Sequence, residues 1–348
     1  MQRIDWQSPR TKKLIISYLY DWVLVIILAG SFFALDKAYG FRREFSLADK
    51  TIMFTHTDEE EVPVWALGVI SFVAPFVIIA IISLAYKKSI HDFHSGVLGL
   101  CLSLSISIIF TQVIKITVGR PRPDFLDRCQ PPPGLVDPPL GLSNYTICTT
   151  APDSYLMKDG FRSFPSGHSS FSFAGLCYLS LYFAGKLRLF DERGLTYKSF
   201  IFITPLIGST LVAITRTRDY RHHWQDVTVG ALLGIACAYF SYRQYYPPLG
   251  HHTCHHPFPL RFQSEGVLPI TNQVIDNHYN HRHNQNNNNN INGDDHDDNA
   301  YFYNGQRESE NGLLDRTNNI SNSNDITAIY DQHNAQQKIQ LHETSAFS

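Results

Sequence analysis

The chain has 348 residues and a formal net charge of −2, so no bulk positive charge points to nucleic acid as a partner. Its hydrophobic content of 44% averages two unlike parts, a strongly apolar one before about residue 248 and a polar one after about 260. Residues 1–13 are polar and basic, with Arg3, Arg10, Lys12 and Lys13, and read as a cytosolic N-terminus. Six apolar runs follow, each close to the ~17–25 residues that cross a bilayer. They are Leu14–Leu35, Val64–Tyr86, Gly96 to about Lys115, Ser169–Gly185, Ser199–Ile214 and Asp226–Tyr246. The first is long enough to span, and no small-residue cleavage site follows it cleanly, so no cleavable signal peptide is expected. Asp21 in that run is costly at depth unless it sits near an end or faces a bundle interior. Pro75 and Pro205 are kinks that a helix bundle absorbs.

The fold expected is all-α: a six-helix transmembrane bundle over residues 14–248. Six spans put both termini on one side. The basic N-terminus, the Lys87–Lys88 loop and the Lys186–Lys198 loop place that side in the cytosol. The charged loop Asp36–Glu61 and the long Pro-rich loop Ile116–His168 then face the lumen or exterior. The sequon Asn144-Tyr145-Thr146 in the second of these agrees with that orientation. Cys129 and Cys148 share the same loop, where a disulfide can persist; a bridge and two free thiols are both open. Residues 249–348 read as a cytosolic His/Asn-rich tail too poor in apolar residues to fold alone. The cluster His251–His256 has a metal-like composition, but no second ligand cluster with zinc-site spacing accompanies it.

Three polar motifs fall at span ends on the lumenal side. Lys115–Pro123 (KITVGRPRP) places Lys115 and Arg122 seven residues apart, with Arg120 between and prolines that stop the helix. A Lys point charge and an Arg fork together suit a phosphoryl group. Phe164–Ser170 (FPSGHSS) has the form of a helix start, with Ser166 as N-cap and Gly167 letting backbone approach a ligand. The free N–H groups of such an end bind anions, and His168 beside them is placed to act as an acid. Thr215–Asp226 (TRTRDYRHHWQD) carries Arg216, Arg218, Arg221, His222, His223 and Asp226. If a helix begins near His222, that residue and Asp226 share one face of its first turn. A carboxylate that accepts one imidazole N–H leaves the other nitrogen as nucleophile or base. Each motif alone also reads as a basic flank, a capped helix or an interfacial anchor. Together they describe a phosphate pocket with a nucleophile and an acid, and no metal-ligand cluster.

Lys-x6-Arg-Pro, Pro-Ser-Gly-His and Arg-x5-His-x3-Asp, in this order, resemble the type 2 phosphatidic acid phosphatase superfamily, its lipid phosphate phosphatase branch above all. Thr215 to Asp226 looks like the fungal diacylglycerol pyrophosphate phosphatase group, with Thr215 where the motif usually opens with Ser. The likeness covers about Leu14 to Tyr246 and excludes the tail. It implies hydrolysis of phosphatidate, lysophosphatidate or diacylglycerol pyrophosphate, with no magnesium or other cofactor. His222 would attack phosphorus and form a phosphohistidine, Asp226 would orient it, and His168 would protonate the leaving oxygen. Lys115, Arg122, Ser166, Gly167 and Arg216 would hold the phosphate oxygens. The partner is then a phospholipid in the membrane of the vacuole, the Golgi or the cell surface. Two alternatives keep the fold: transfer of the group to another lipid, and a non-enzymatic lipid-presenting scaffold.

Overall fold

The computed structural model describes residues 9–191 and 194–261. The tail reading from 262 to 348 lies outside the described residues, as do residues 1–8. Among the described residues the regular structure is helical, with one isolated bridge pairing Phe45 and Ser143. The long helices are α1 (Pro9–Asp36), α2 (Val64–Tyr86), α3 (Ile90–Val118), α4 (Gly167–Lys186), α5 (Thr196–Arg218) and α6 (Trp224–Tyr245). Four stretches are long and apolar enough to cross a membrane: Lys12–Asp36, Val64–Tyr86, Ile90–Val118 and Thr196–Arg218. The helices α4 and α6 do not reach that apolarity.

Packing explains the difference. Helix α4 is the hub of the bundle, in contact with α2, α3, α5 and α6. Almost every residue of α4 from Ser169 to Gly185 is buried by protein, including four serines. A helix walled in by its neighbours need not be as apolar as one that meets its surroundings directly. Ser103 and Ser169 satisfy their hydroxyls on backbone carbonyls, of Ala174 at 2.9 Å and Val227 at 2.7 Å. Helix α6 approaches α4 closely because Gly234 has no side chain: a Cβ there would lie 2.4 Å from the Ser170 carbonyl oxygen.

Helix ends depart from the apolar runs wherever a charge is satisfied. Helix α3 begins at Ile90, six residues before the apolar run, because Ser89 caps it by accepting from Asp92 N at 3.2 Å. Asp92 is tolerated inside because it is ion-paired with Lys186 and accepts from Tyr182 at 3.1 Å and Tyr246 at 3.0 Å. The far end of α3 runs on to Val118, where Gly119 turns the chain at φ +59°. Helix α5 likewise extends to Arg218. The segment 249–261 folds back over the helix ends, with Cys254 buried and Phe258 N bonded to Tyr245 O at 2.9 Å. Arg261 reaches the α1 residue Asp21, which also faces Tyr245 OH at 3.4 Å, so that carboxylate has partners inside the bundle.

At the opposite end the two loops, 37–63 and 119–166, build a cap with its own small core. Phe45 and Ile52 from the first loop pack with Phe125, Cys129, Met157 and Phe161 from the second. Cys129 and Cys148 are joined in a disulfide. Asp137 ties the loops together, accepting from Ser46 Oγ and Ser143 Oγ, each at 2.6 Å.

Candidate active site

The third motif lies between α5 and α6. Helix α6 starts at Trp224, with His223 as its N-cap in a reciprocal capping box with Asp226. His222 therefore precedes the helix, and the expectation that it shares the first helical turn with Asp226 is corrected. Its ring is 4% exposed, and Nδ1 donates to the Ser163 carbonyl oxygen at 2.6 Å. That bond fixes the tautomer and leaves Nε2 with a lone pair, 3.4 Å from Arg122 Nη1. Burial holds the His222 pKa well below the usual imidazole range, and Arg122, Lys115 and His168 add to the effect, against the pull of the Ser163 bond. These surroundings favour the neutral ring over the imidazolium.

Asp226 Oδ2 is 4.0 Å from His222 Nδ1. Its hydrogen bonds go elsewhere: to Ser163 Oγ at 2.5 Å, Arg120 Nη1 at 2.6 Å, and the backbone N and ring Nδ1 of His223 at 3.1 and 3.2 Å. The carboxylate thus fixes Ser163, and the Ser163 carbonyl fixes the imidazole. The direct Asp226–His222 bond expected from their spacing is replaced by this relay, because the capping box and Arg120 claim the carboxylate first.

The second motif opens α4. Ser166 is its N-cap and is fully buried, its hydroxyl accepting from Ser169 N at 3.4 Å. Ser166 does not line the cavity, so its part is to shape the helix start rather than to touch a ligand there. Gly167 and His168 do line it. A Cβ at position 167 would stand 3.4 Å from Lys115 Nζ, so the missing side chain brings that ammonium against the helix N-terminus. His168 Nε2 donates to the Val62 carbonyl oxygen at 3.0 Å, which leaves Nδ1 as the nitrogen free for proton exchange.

Arg122 spans the first and third motifs. Its Nη1 donates to the Arg221 carbonyl at 2.9 Å, and its Nε and Nη2 donate to the carbonyl and side chain of Asp159, at 2.8 and 2.7 Å. Burial pushes the Asp159 carboxyl up, but Arg122, Arg128, Lys115 and Arg221 outweigh it and hold the pKa well below the usual carboxylate range. Arg216 is 1% exposed, with Nη1 on Glu60 at 2.9 Å and Nη2 on Asp219 at 2.8 Å. The Lys115 ammonium, by contrast, has no hydrogen-bond or ion-pair partner among the described residues, and Lys115 lines the cavity.

The cavity has a volume of about 610 Å³. Lys115, Arg122, Arg216, Arg221, His168 and His222 all border it, and so do Phe32, Val64, Leu67, Ile108 and Phe171. Ile108 lies seven residues before Lys115 on α3, roughly 10 Å deeper at 1.5 Å per residue. The polar wall sits at the helix ends and the apolar wall runs between the helices. That arrangement accepts a phosphate on one side and hydrocarbon on the other. Among the described residues no group of three or more His, Cys, Asp or Glu is placed to hold a metal ion.

Sequence reasoning missed Ser163, Asp159 and Glu60. A backbone carbonyl such as that of Ser163 carries no side-chain signature. The acidic run Asp58–Glu61 did carry one. Three basic motifs converging on one site need nearby carboxylates, and this run lies in the facing loop.

Comparisons with known proteins place the chain in a family. The family described as the PAP2 superfamily matches residues 96–248. The chain is 39% identical over 232 residues to lipid phosphate phosphatase 2 of Arabidopsis thaliana, covering 66% of this chain and 78% of that protein. It is 40% identical over 263 residues to diacylglycerol pyrophosphate phosphatase 1 of Saccharomyces cerevisiae, covering 74% and 89%. With the probable diacylglycerol pyrophosphate phosphatase 1 of Schizosaccharomyces pombe it shares 39% over 241 residues, covering 69% and 85%. No solved structure matches. On the strength of these similarities, and of the polar motifs gathered around one cavity, the chain belongs to the PAP2 superfamily.

Proposed function

We propose that this chain is a membrane phosphatase that removes phosphate from lipid headgroups through a phosphohistidine on His222. The observation that carries the reading is a buried His222 whose free Nε2 stands beside a cationic cavity that continues into an apolar one. His222 Nε2 attacks phosphorus as the bond from phosphorus to the leaving oxygen breaks. His168 takes up a proton at Nδ1 from solution as the anionic substrate binds beside it, and passes that proton to the leaving oxygen. In the second half a water attacks phosphorus, gives its proton to His168, and the P–N bond breaks to release inorganic phosphate. Lys115, Arg122, Arg216 and the amides at the start of α4 stabilise the equatorial oxygens as charge develops. Those cations supply the electrostatic work, so we expect turnover in EDTA.

The apolar wall suits acyl chains, which supports phosphatidate, lysophosphatidate or diacylglycerol pyrophosphate as substrates. The last is favoured by the names of the fungal relatives. We read α1–α6 as six spans, with α4 and α6 shielded by the other helices, both ends of 14–248 on the cytosolic side, and the cap with the cavity on the lumenal or outer face. Asn144 is exposed in that cap, where a glycan would sit. Phosphate release from phosphatidate and from diacylglycerol pyrophosphate by the detergent-solubilised chain is the test. Release from neither would defeat the reading, and the ratio would assign the preferred lipid.

A further inference from the structure

Glu60 belongs to none of the three motifs, yet its carboxylate stands among the cations of the cavity. Its Oε2 is 2.9 Å from Arg216 Nη1 and 3.6 Å from His168 Nε2, and its Oε1 is 3.7 Å from Arg221 Nη2. Arg216 thus faces a carboxylate at the place where, on the phosphatase reading, it would face phosphate oxygens. The same guanidinium geometry takes either anion.

The other carboxylates of the site are built differently. Asp219 is 4% exposed, holds the other nitrogen of the Arg216 fork and accepts from the Glu61 backbone N at 3.1 Å. Asp159 is gripped by Arg122 at 2.7 Å and Arg128 at 3.0 Å. Both are fixed counter-charges. The Glu60 side chain is 27% exposed and, among the described residues, has one hydrogen bond, to Arg216. It comes from a loop rather than a helix, and that loop is pinned on both sides of it. Thr57 O accepts from Arg221 Nη2 at 2.7 Å, and Val62 O accepts from His168 Nε2 at 3.0 Å. The side chain alone can swing away while the loop stays in place. Two anions cannot share the position against Arg216 Nη1, so a bound phosphate and this rotamer of Glu60 exclude each other.

We propose that Glu60 is a resident occupant of the phosphate site, displaced when a phosphate enters, and that it thereby sets the affinity of the enzyme for phosphorylated ligands. This rests on the phosphatase reading for the identity of the site. The competition is a population effect: only the fraction of molecules with Glu60 swung out binds phosphate, and the apparent dissociation constant is raised by the inverse of that fraction.

The test uses the full-length, detergent-solubilised chain with inorganic phosphate as the probe, comparing wild type with Glu60→Gln and Glu60→Ala. Glutamine keeps the shape and a hydrogen-bond acceptor for Arg216, which protects the fold; alanine empties the position. Calorimetric titration should show inorganic phosphate binding roughly tenfold more tightly in both variants if the occupied state holds about nine-tenths of the population. In turnover the change should fall on KM more than on kcat. Unchanged or weaker phosphate binding in both variants would overturn the proposal and make Glu60 a prop for Arg216. Failure of the phosphatase reading would look different: no His222-dependent phosphate release by wild type from any lipid phosphate, whatever the titrations give.

Discussion

At the scale of the residue, the geometry around His222 divides a task that the spacing had given to Asp226 alone. The Ser163 carbonyl sets the tautomer, and Asp226 fixes Ser163 and Arg120. Asp226→Asn should therefore act through misplacement of the imidazole. We expect kcat to fall on the order of a hundredfold, as for a shift of about 1 Å at a reacting group, with a smaller change in KM. A rise in KM at unchanged kcat would contradict this relay. The depressed pKa of His222 has a consequence for stability. The folded chain takes up fewer protons at this site than the unfolded chain, so its contribution is full above the ordinary imidazole pKa of about 6.5 and is lost as pH falls below it. Asp159, also depressed, contributes above the carboxylate range of about 4 and loses that contribution only as pH falls further. Melting temperature should thus decline on acidification from about pH 6.5 to 5, and less steeply in His222→Gln; parallel declines would refute the assignment. Lys115, Arg122, Gly167, His168, Arg216 and His222 were all legible in the sequence, because side chains of distinctive chemistry recur at fixed spacing. Ser166 was legible as the helix cap, and it stands behind the cavity lining, whose residues do not include it. Ser163 left no trace, since its backbone carbonyl carries the contact.

The elements show what apolar periodicity does and does not record. Val64–Tyr86 has the limits of its apolar run, but α3 begins earlier and α5 ends later than theirs. In each case a buried charge continues the helix because a fixed partner satisfies it: Lys186 pairs with Asp92, and Asp219 with Arg216. The Asp92–Lys186 pair joins residues far apart in sequence, so no local window contains it. The two loops were legible as polar and Pro-rich; their small core around Phe45 and Phe125 was not, because aromatic residues scattered through a loop have no period. The cap they form carries Asn144, whose Oδ1 accepts from Thr146 Oγ1 at 2.5 Å in an exposed turn. If this face is lumenal, chain expressed in a eukaryotic secretory pathway should carry a glycan that glycosidase removes and that Asn144→Gln abolishes. An unglycosylated wild-type chain with a cytosol-accessible cap would reverse the orientation.

Over the whole molecule, the bundle delivers three motifs to one end and leaves an apolar path between the helices beneath them. Helix α4 is central to both: its first turn borders the cavity and its body joins α3, α5 and α6. That position explains why a Ser-rich helix of 20 residues serves as the hub, and why its apolarity falls short of the four stretches that qualify as spans. On the phosphatase reading, a lipid presents its phosphate to Lys115 and His222 while its chains remain among side chains such as Phe32, Ile108 and Phe171, all of which line the cavity. The central claim is that this site turns over lipid phosphate through His222 on its own cations. The most direct measurement is inorganic phosphate released from diacylglycerol pyrophosphate and phosphatidate in EDTA, by wild type beside His222→Ala. On this reading wild type releases phosphate and the variant loses on the order of a thousandfold or more, while still inserted in membranes. Full turnover in His222→Ala, or none in wild type, would contradict it.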